Sequence, residues 1–356
     1  MTPQSDRIGT RLLIISDTHG EVFPTEHAPT MPVDVAIHCG DLTEESKLEE
    51  YAVTLKLLQG IQAPLKLAIA GNHDFSLDTN AFQRILQSSA LGPQDDEAVV
   101  STYGKYGQAE AMFAASGITL LSEGIHSFVL HNGAKLMVYA SPYTPSKSAG
   151  WGYQYIPRPV TYATSDASST SPHTRVYPDD GHLWAIPDNI DIAITHSPPH
   201  GLLDRTQDAI RGGAHGLFAA VERARPRLHC FGHIHEGWGA KLVAWRSSAS
   251  DNNLPSTIAG HQGATLEGQN PPSHLTHIDN SASTLIESLQ TLKPGKFDPD
   301  EVKEEKKVRL ERLRAEAKCE ARCEDKKTLF VNASIQGDGE ALQLPWIVHI
   351  DLPRAE

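Results

Sequence analysis

The sequence is short of positive charge. Its 31 lysines and arginines are outnumbered by 44 aspartates and glutamates, so the 356 residues carry a formal net charge of −13 at pH 7. Proteins that bind nucleic acid without sequence preference normally present a basic face to the phosphate backbone, and this composition argues against that class. A small anionic substrate stays compatible with an acidic chain if bound metal ions supply positive charge locally.

Long apolar runs are also missing. No stretch approaches the roughly 18 to 20 continuous apolar residues that a membrane span needs, so we expect no membrane association. The first residues, MTPQSDRIGTR, lack the apolar core of a secretory signal, and we therefore expect a cytoplasmic protein.

Cysteine is scarce as well. Four cysteines in a chain of this length argue against a scaffold held together by disulfides. Cys39 and Cys230 lie in apolar runs typical of strands. Cys319 and Cys323 lie four residues apart on a highly charged stretch, where we expect a helix that carries two exposed and inert thiols.

The sequence does contain a repeated pattern of short apolar runs, each followed by polar residues able to bind metal. Five such runs lead into SDTHG, HCGD, GNHD, THSPPH and GHIHEG, motifs that begin at residues 16, 38, 71, 195 and 232. Because the runs do not alternate between apolar and polar residues, they indicate strands buried on both faces. Helix-like segments lie between the early runs. We therefore predict βαβ units and an α/β fold with its site at the carboxyl ends of the strands.

The later part of the chain is less regular. A tract rich in Ser, Gly, Asn and Pro opens the segment 247–327, and a dense charge run closes it. Part of that run, DPDEVKEEKKVRLERLRAEAK, places Glu and Lys or Arg at helical spacings. We predict one domain over residues 1–356, with 247–327 as an insertion that contains a charged helix. The runs on either side, 241–246 and 328–331, are predicted to be strands that pair with each other.

The residues that follow the five apolar runs form a mixed set of oxygen and nitrogen ligands. Alternate residues of an extended segment point the same way, so Asp17 converges with His19. The same holds for His233 and His235. The complete set is Asp17, His19, Asp41, Asn72, His196, His233 and His235. It suits Mn, Fe, Zn or Co better than Ca, and seven side chains are too many for one ion. We predict two divalent ions roughly 3.5 to 4 Å apart, bridged by Asp41.

The ordered series SDTHG, GD, GNHD, TH and GHIH resembles the calcineurin-like metallophosphoesterase superfamily. Further stretches, SPYTPSKSAGWG, THSPPHG, GHIHEGWG and FVNAS, are similar to the metallophosphoesterase-domain-containing proteins of animals and fungi. The resemblance covers about residues 10–246 and 328–352, but not the insertion. It implies a four-layer α/β fold, in which two mixed β-sheets form a sandwich flanked by helices.

The resemblance also implies roles for individual residues. One metal site would use Asp17, His19, Asp41 and His235, and the other Asp41, Asn72, His196 and His233. The implied chemistry is attack of a metal-bridging hydroxide on phosphorus. His73 would protonate the leaving oxygen or stabilise the charge of the transition state, and Asp74 would orient its ring.

Four more residues are candidate substrate contacts because they lie in or near the ligand motifs: His38, His200, His215 and Trp238. Each also has a structural interpretation. His38 lies inside a strand end, where a core histidine is more typical than a substrate contact. The other three are also consistent with ordinary loop packing.

We predict a metal-dependent hydrolase that cleaves a small phosphodiester or phosphomonoester, and the resemblance favours the diester. Three alternatives stay open. The same centre could act on a non-phosphate substrate in a biosynthetic pathway, or the protein could bind a ligand without turnover. It could also be a Ser/Thr protein phosphatase, although no obvious basic groove for a phosphoprotein is evident in this acidic chain.

Overall fold

The structure is a computed structural model with two large β-sheets and flanking helices. It describes residues 7–23, 28–88, 93, 96–148, 150–164, 173–179, 181–246, 277–336 and 343–356. No helix within these ranges is both long and apolar enough to cross a bilayer.

The first sheet contains the amino-terminal strands. Its members are β1 (Arg7–Ile15), β2 (Val35–Cys39), β3 (Leu65–Ile69), β4 (Thr119–Leu120), β15 (Cys319–Arg322) and β17 (Trp346–Pro353). In the described residues their order is β15-β17-β1-β2-β3-β4. The strands β1 to β4 run parallel to one another, and β17 runs antiparallel to β1. Leu12, Leu13 and Ile14 are fully buried, since both faces of β1 are covered.

The second sheet contains seven strands of the described chain. They are β5 (Gly124–Val129), β6 (Lys135–Ser141), β11 (Ile192–Thr195), β12 (Leu228–Phe231), β13 (Gly239–Trp245), β14 (Ile278–Ser288) and β16 (Lys327–Asn332). Their order is β14-β13-β16-β12-β11-β6-β5. The strands β6, β11, β12 and β16 are parallel, whereas β13 runs antiparallel to β16. The predicted pairing of 241–246 with 328–331 is therefore confirmed.

Helices and short strands complete the described structure. The helices are α1 (Leu48–Gly60), α2 (Thr79–Ser88), α3 (Glu97–Tyr103), α4 (Gln108–Ser116), α5 (His215–Ala224), α6 (Leu289–Leu292) and α7 (Asp300–Glu316). Two small sheets pair β7 (Thr144–Pro145) with β8 (Gln154–Tyr155), and β9 (Arg158–Thr164) with β10 (His173–Asp179).

The buried apolar residues divide into clusters that define four layers. Leu12 packs between the two sheets, together with Ile194 of β11. The next residue of β1, Leu13, points the opposite way and packs with Tyr51 of α1. A third cluster joins the outer face of the second sheet to α5. This order of helix, sheet, sheet and helix confirms the predicted two-sheet sandwich.

The segment predicted as an insertion contributes to both sheets. Its first part, 247–276, lies outside the described residues. From residue 277 onwards, β14 adds an edge strand to the second sheet, α7 follows, and β15 adds an edge strand to the first sheet. The division into one domain with an insertion at 247–327 stays a prediction.

Cys319 and Cys323 were predicted to lie on an exposed helix, and this prediction is wrong. The charged helix α7 ends at Glu316, and Ala317 turns the chain with a left-handed φ of 53°. Residues of β15 then alternate between buried and exposed, and Cys319 faces inwards with 2% exposure. Cys323 is 3% exposed. Burial raises the pKa of both thiols to about 12.

All four cysteines are free and buried, so we expect the native protein to react slowly with a thiol reagent at mildly alkaline pH. Denaturation should release four reactive thiols. Spectrophotometric titration with Ellman's reagent measures both states, and a Ser101→Cys variant on the exposed face of α3 provides a rapidly reacting control. Rapid reaction of two native thiols would contradict the burial of Cys319 and Cys323.

Candidate metal centre

The five sequence motifs lie together at one end of the molecule. The carboxyl ends of β1, β2 and β3 share one edge of the first sheet, and those of β11 and β12 share one edge of the second. The two edges are joined by a hydrogen bond. The backbone N–H of His233 donates to the carboxylate of Asp17, at 2.9 Å from Oδ1 and 3.1 Å from Oδ2.

One group of converging side chains consists of Asp17, His19 and His235. His235 Nε2 lies 3.3 Å from Asp17 Oδ1 and 3.4 Å from His19 Nε2. The hydroxyl of Ser334 donates to Asp17 Oδ2 at 2.8 Å. One oxygen and two nitrogens therefore lie within 4.8 Å of one another, the spacing of ligands around a metal ion.

A second group is centred on His196. Its Nε2 lies 3.2 Å from both Asp41 Oδ2 and Asn72 Oδ1. Its Nδ1 lies 2.9 Å from the carbonyl oxygen of Cys39, which can only accept, so Nδ1 carries a proton. Nε2 is the nitrogen that faces the two oxygens. A nitrogen of His233 completes the group, within 4.8 Å of ligand atoms of Asp41 and His196.

Together these groups fit a pair of metal ions. Carboxylate, amide and imidazole atoms converge in a buried volume, where accumulating them without a cation is unfavourable. Asp41 lies between the groups, because its Oδ2 is 3.9 Å from His19 Nε2 and 3.2 Å from His196 Nε2. The structure therefore brings all seven predicted ligands together, with Asp41 in position to serve both groups.

The charges of the cluster keep its carboxylates ionised. Burial raises the pKa of Asp17, but the hydrogen bond and charge of His235 outweigh burial and lower that pKa well below its usual range. At Asp41, burial is outweighed by the charge of His196, and the pKa is again lowered. In return, Asp41 overcomes the effect of burial on His196 and raises its pKa to about 9. Burial lowers the pKa of His233 to about 4. Ionised carboxylates are the form that binds a metal ion.

Four of the seven residues have left-handed backbone conformations. The φ angles are 54° at Asp17, 48° at His19, 52° at Asp41 and 69° at His233. Such angles are uncommon outside glycine, cost of order 1 to 3 kcal/mol each, and concentrate at functional sites. They turn each loop sharply after its strand, so the side chains converge.

Two glycines give the ligand loops room to approach. A Cβ at Gly71 would overlap the carboxylate of Asp41, and a Cβ at Gly232 would overlap Ser16 and Asp17. Neither glycine has a positive φ, so close approach of neighbouring loops, and not backbone freedom, requires glycine there.

His73 is half-buried beside the first group. Its ring centroid lies 4.8 Å from that of His19. Its Nδ1 donates to the carbonyl oxygen of Glu44 at 2.7 Å, and the indole of Trp151 packs against it with centroids 4.4 Å apart. These contacts fix the ring and leave Nε2 as the nitrogen available to a ligand.

Two further residues, Glu44 and Trp151, contact the histidines of the site but were not predicted from the sequence. Besides its carbonyl contact with His73, Glu44 places a carboxylate oxygen 2.7 Å from His19 Nδ1, on the side of the ring away from His235. A carboxylate behind a histidine ligand commonly fixes the ring and strengthens the ligand. Both residues lie in or near sequence motifs, because Glu44 comes three residues after the GD motif and Trp151 lies in SAGWG. Neither motif indicates which histidine the residue contacts.

Asp74 does not orient the ring of His73, contrary to the prediction. Its fully buried carboxylate accepts four hydrogen bonds of 2.7 to 3.1 Å, from the backbone N–H groups of Leu42, Thr43 and Gly71 and the hydroxyl of Thr43. These bonds fasten the loop after β2 to the loop after β3. Burial and the charge of Asp41 raise the pKa of Asp74 to about 7. The geometry makes Asp74 a positioning residue.

Two of the candidate substrate contacts are core residues, and for His38 this is the interpretation that the sequence favoured. His38 is fully buried, with Nε2 2.9 Å from the hydroxyl of Thr18 and Nδ1 accepting from the N–H of Gly40. Burial lowers its pKa to about 3. Trp238 is 1% exposed, and its Nε1–H donates to the carbonyl oxygen of Leu344 at 3.0 Å. Neither side chain is open to a substrate.

The other two candidates, His200 and His215, stack on each other with centroids 3.7 Å apart and ring planes inclined by 19°. His200 is 8% exposed, and its Nδ1 lies 3.3 Å from the carbonyl oxygen of Gly213. His215 is the first residue of α5. Their role as substrate contacts stays a prediction.

The part of the chain that contains the five motifs is similar to known proteins. The sequence model of a family described as calcineurin-like phosphoesterase matches residues 10–237, which is more than half of the chain. Human metallophosphoesterase domain-containing protein 1 is 31% identical over 244 residues, covering 65% of this chain and 62% of the human protein. A probable rhamnogalacturonate lyase C of Emericella nidulans is 29% identical over 66% of this chain but only 18% of that protein.

A third relative is the Caenorhabditis elegans UPF0046 protein K07C11.7, which is 28% identical over 233 residues and aligned over 64% of each chain. The alignments therefore span less than two thirds of each of these three relatives.

We expect Asp41→Asn to reduce the bound metal from about two ions per chain to one or fewer, since the shared carboxylate loses its charge. Elemental analysis after reconstitution and dialysis measures the content. Asp188→Asn makes the same chemical change on an exposed turn away from the cluster and should bind like wild type. Wild-type metal content in Asp41→Asn would contradict the bridging position.

Proposed function

The chain belongs to the calcineurin-like phosphoesterase family, and from this premise we propose that it is a cytoplasmic hydrolase of small phosphodiesters or phosphomonoesters that uses two divalent metal ions. The observation that carries the proposal is the convergence of the two groups of candidate ligands described above at the carboxyl ends of the central strands, with Asp41 between them. The phosphodiester is the favoured substrate class.

The residues that would hold the ions divide between the two groups. One ion would bind Asp17, His19, Asp41 and His235, and the other Asp41, Asn72, His196 and His233. The mixed oxygen and nitrogen donors suit manganese, iron, zinc or cobalt. When bound, such ions supply a water of lowered pKa and withdraw charge from the phosphoryl oxygens.

His73 would protonate the leaving oxygen. Its backbone N–H donates to Asp41 Oδ1 at 2.9 Å, which ties the residue to the shared carboxylate. The carbonyl of Glu44 holds Nδ1, so Nε2 is the nitrogen left to face the substrate. The indole of Trp151 covers one side of the ring and limits its contact with water.

A panel of esters tests the proposal directly. After reconstitution with Mn, Fe, Zn or Co, we expect hydrolysis of bis-p-nitrophenyl phosphate and, more slowly, of p-nitrophenyl phosphate. A chelator should abolish both reactions. Lactones, amides and a phosphoserine peptide complete the panel. Metal-loaded protein that cleaves a non-phosphate substrate or the peptide, but neither nitrophenyl phosphate, would reject the proposal.

Removing the imidazole of His73 should lower the catalytic rate without changing the metal content. We expect His73→Ala to keep its metal ions while kcat falls roughly 10²- to 10⁴-fold, the usual contribution of general acid catalysis. Elemental analysis and steady-state kinetics on the same preparation provide both values. His131→Ala removes an exposed histidine elsewhere and serves as the control. An unchanged kcat in His73→Ala would exclude this role.

A further inference from the structure

A cavity of about 740 Å³ lies outside the cluster of predicted metal ligands. It lies at the carboxyl ends of β3 and β4, between α4 and the segment that follows β6. Its walls include Ala70, Glu110, Phe113, Glu123, Tyr143 and Tyr153. None of these residues belongs to the metal cluster, and the hydrolytic chemistry proposed above does not use them.

Three short connections place this cavity next to the second group of ligands. Ala70, in its wall, lies two residues before Asn72. The N–H of Gly152, which precedes the wall residue Tyr153, donates to the carbonyl oxygen of Asn72 at 3.0 Å. In the neighbouring segment, the carbonyl oxygen of Ser141 accepts from the N–H of His196 at 3.0 Å, and the chain continues through Pro142 into the cavity wall.

The walls combine aromatic rings with negative charge. Tyr143 and Tyr153 meet at a corner, with centroids 5.8 Å apart and ring planes at 83°. Glu110 and Glu123 contribute carboxylates. Among the described residues that line the cavity there is no lysine, arginine or histidine. Aromatic faces and carboxylates both attract cations. His182, which stacks on Tyr143, is already paired with Glu123 Oε1 at 2.7 Å.

Both carboxylates retain capacity for a ligand. Glu110 is exposed on α4 and has no ion-pair partner within the described chain. Glu123 uses a single oxygen, Oε1, for its contacts with Tyr139, Ser141 and His182. Its Oε2 receives no hydrogen bond from the described residues.

The pKa values of the two tyrosines reflect the negative charge around the cavity. Burial and the charges of Glu123 and Asp78 raise the pKa of Tyr143. Burial, together with the charges of Asp78 and other nearby carboxylates that include Glu110, raises the pKa of Tyr153. A positively charged ligand in the same place would be stabilised by the charges that disfavour the phenolates.

We propose that this pocket binds the ammonium group of a zwitterionic phosphoester whose phosphate is held at the metal centre. The assignment rests on the proposed function, because it names the organic part of the substrate for that same site. Two perpendicular tyrosine rings form adjacent walls around the cation, and the two carboxylates balance its charge. The acidic lining disfavours substrates whose alcohol carries a second negative charge.

A matched pair of chromogenic substrates isolates the ammonium group. p-Nitrophenyl phosphorylcholine and p-nitrophenyl 3,3-dimethylbutyl phosphate have nearly the same shape and release the same phenolate, but only the first carries a cation. We expect kcat/KM to be roughly tenfold higher for the choline ester with wild-type enzyme. Glu110→Gln and Tyr143→Leu should each reduce this ratio towards one, because kcat/KM for the choline ester falls more than kcat/KM for the neutral ester.

Glu97→Gln, an exposed glutamate on α3 outside the cavity, should keep the wild-type ratio. Thermal unfolding of each variant checks that its fold is intact. A preference for the choline ester that persists in both Glu110→Gln and Tyr143→Leu would place the cation elsewhere and overturn the assignment.

Calorimetric titration with choline chloride measures binding of the cation to the pocket independently of hydrolysis. We expect choline to bind wild-type protein and to bind more weakly to Glu110→Gln and Tyr143→Leu. Choline binding without hydrolysis of either ester would support the pocket and reject the proposed function. Hydrolysis of both esters at equal kcat/KM, with no choline binding, would overturn the pocket and leave the proposed function standing.

Discussion

The carboxylate of Asp17 is the point on which the site depends. It accepts a hydrogen bond from the backbone N–H of His233, a residue 216 positions away in the chain. This bond joins the loop after β1 to the loop after β12, which belongs to the other sheet. The same carboxylate faces the ring of His235 and the hydroxyl of Ser334. Gly232 permits the approach, because any side chain there would overlap this carboxylate. A buried charge needs such partners, and the partners align the two sheets.

The cluster carries strain and charge that the rest of the fold must offset. Ligands such as Asp17 and His233 have left-handed backbones, and several ionisable groups share one buried volume. A chain selected for stability alone would have little use for either feature. The apolar residues between the sheets and beneath α1 and α5 supply the compensating burial. Asp74 contributes by fastening the loops after β2 and β3 with four hydrogen bonds.

The two parts of the functional region have opposite chemistry and share one wall. The metal centre collects carboxylates and imidazoles and suits the phosphate of a substrate once metal ions are bound. The neighbouring cavity, with Tyr143 and Glu110 in its lining, presents aromatic rings and carboxylates and suits a cation. The segment from Trp151 to Tyr153 separates them, with Trp151 against His73 on one side and Tyr153 in the cavity wall on the other. Side chains on one short segment thus contact His73, the proposed proton donor, and line the cavity proposed to bind a cation.

The sequence by itself determined the strands and the set of candidate metal ligands. Apolar runs of strand length, each followed by Asp, Asn or His, are local patterns, and parallel strands must bring their carboxyl ends to one edge. Only the tertiary structure decided which way the other side chains face. Trp238 belongs to the core, and Cys319, which was expected on an exposed helix, lies on a buried strand. Glu44 reaches His19 through a loop contact that no periodicity encodes. Burial and hydrogen bonding of a single side chain depend on segments distant in sequence, and a local pattern contains no information about those neighbours.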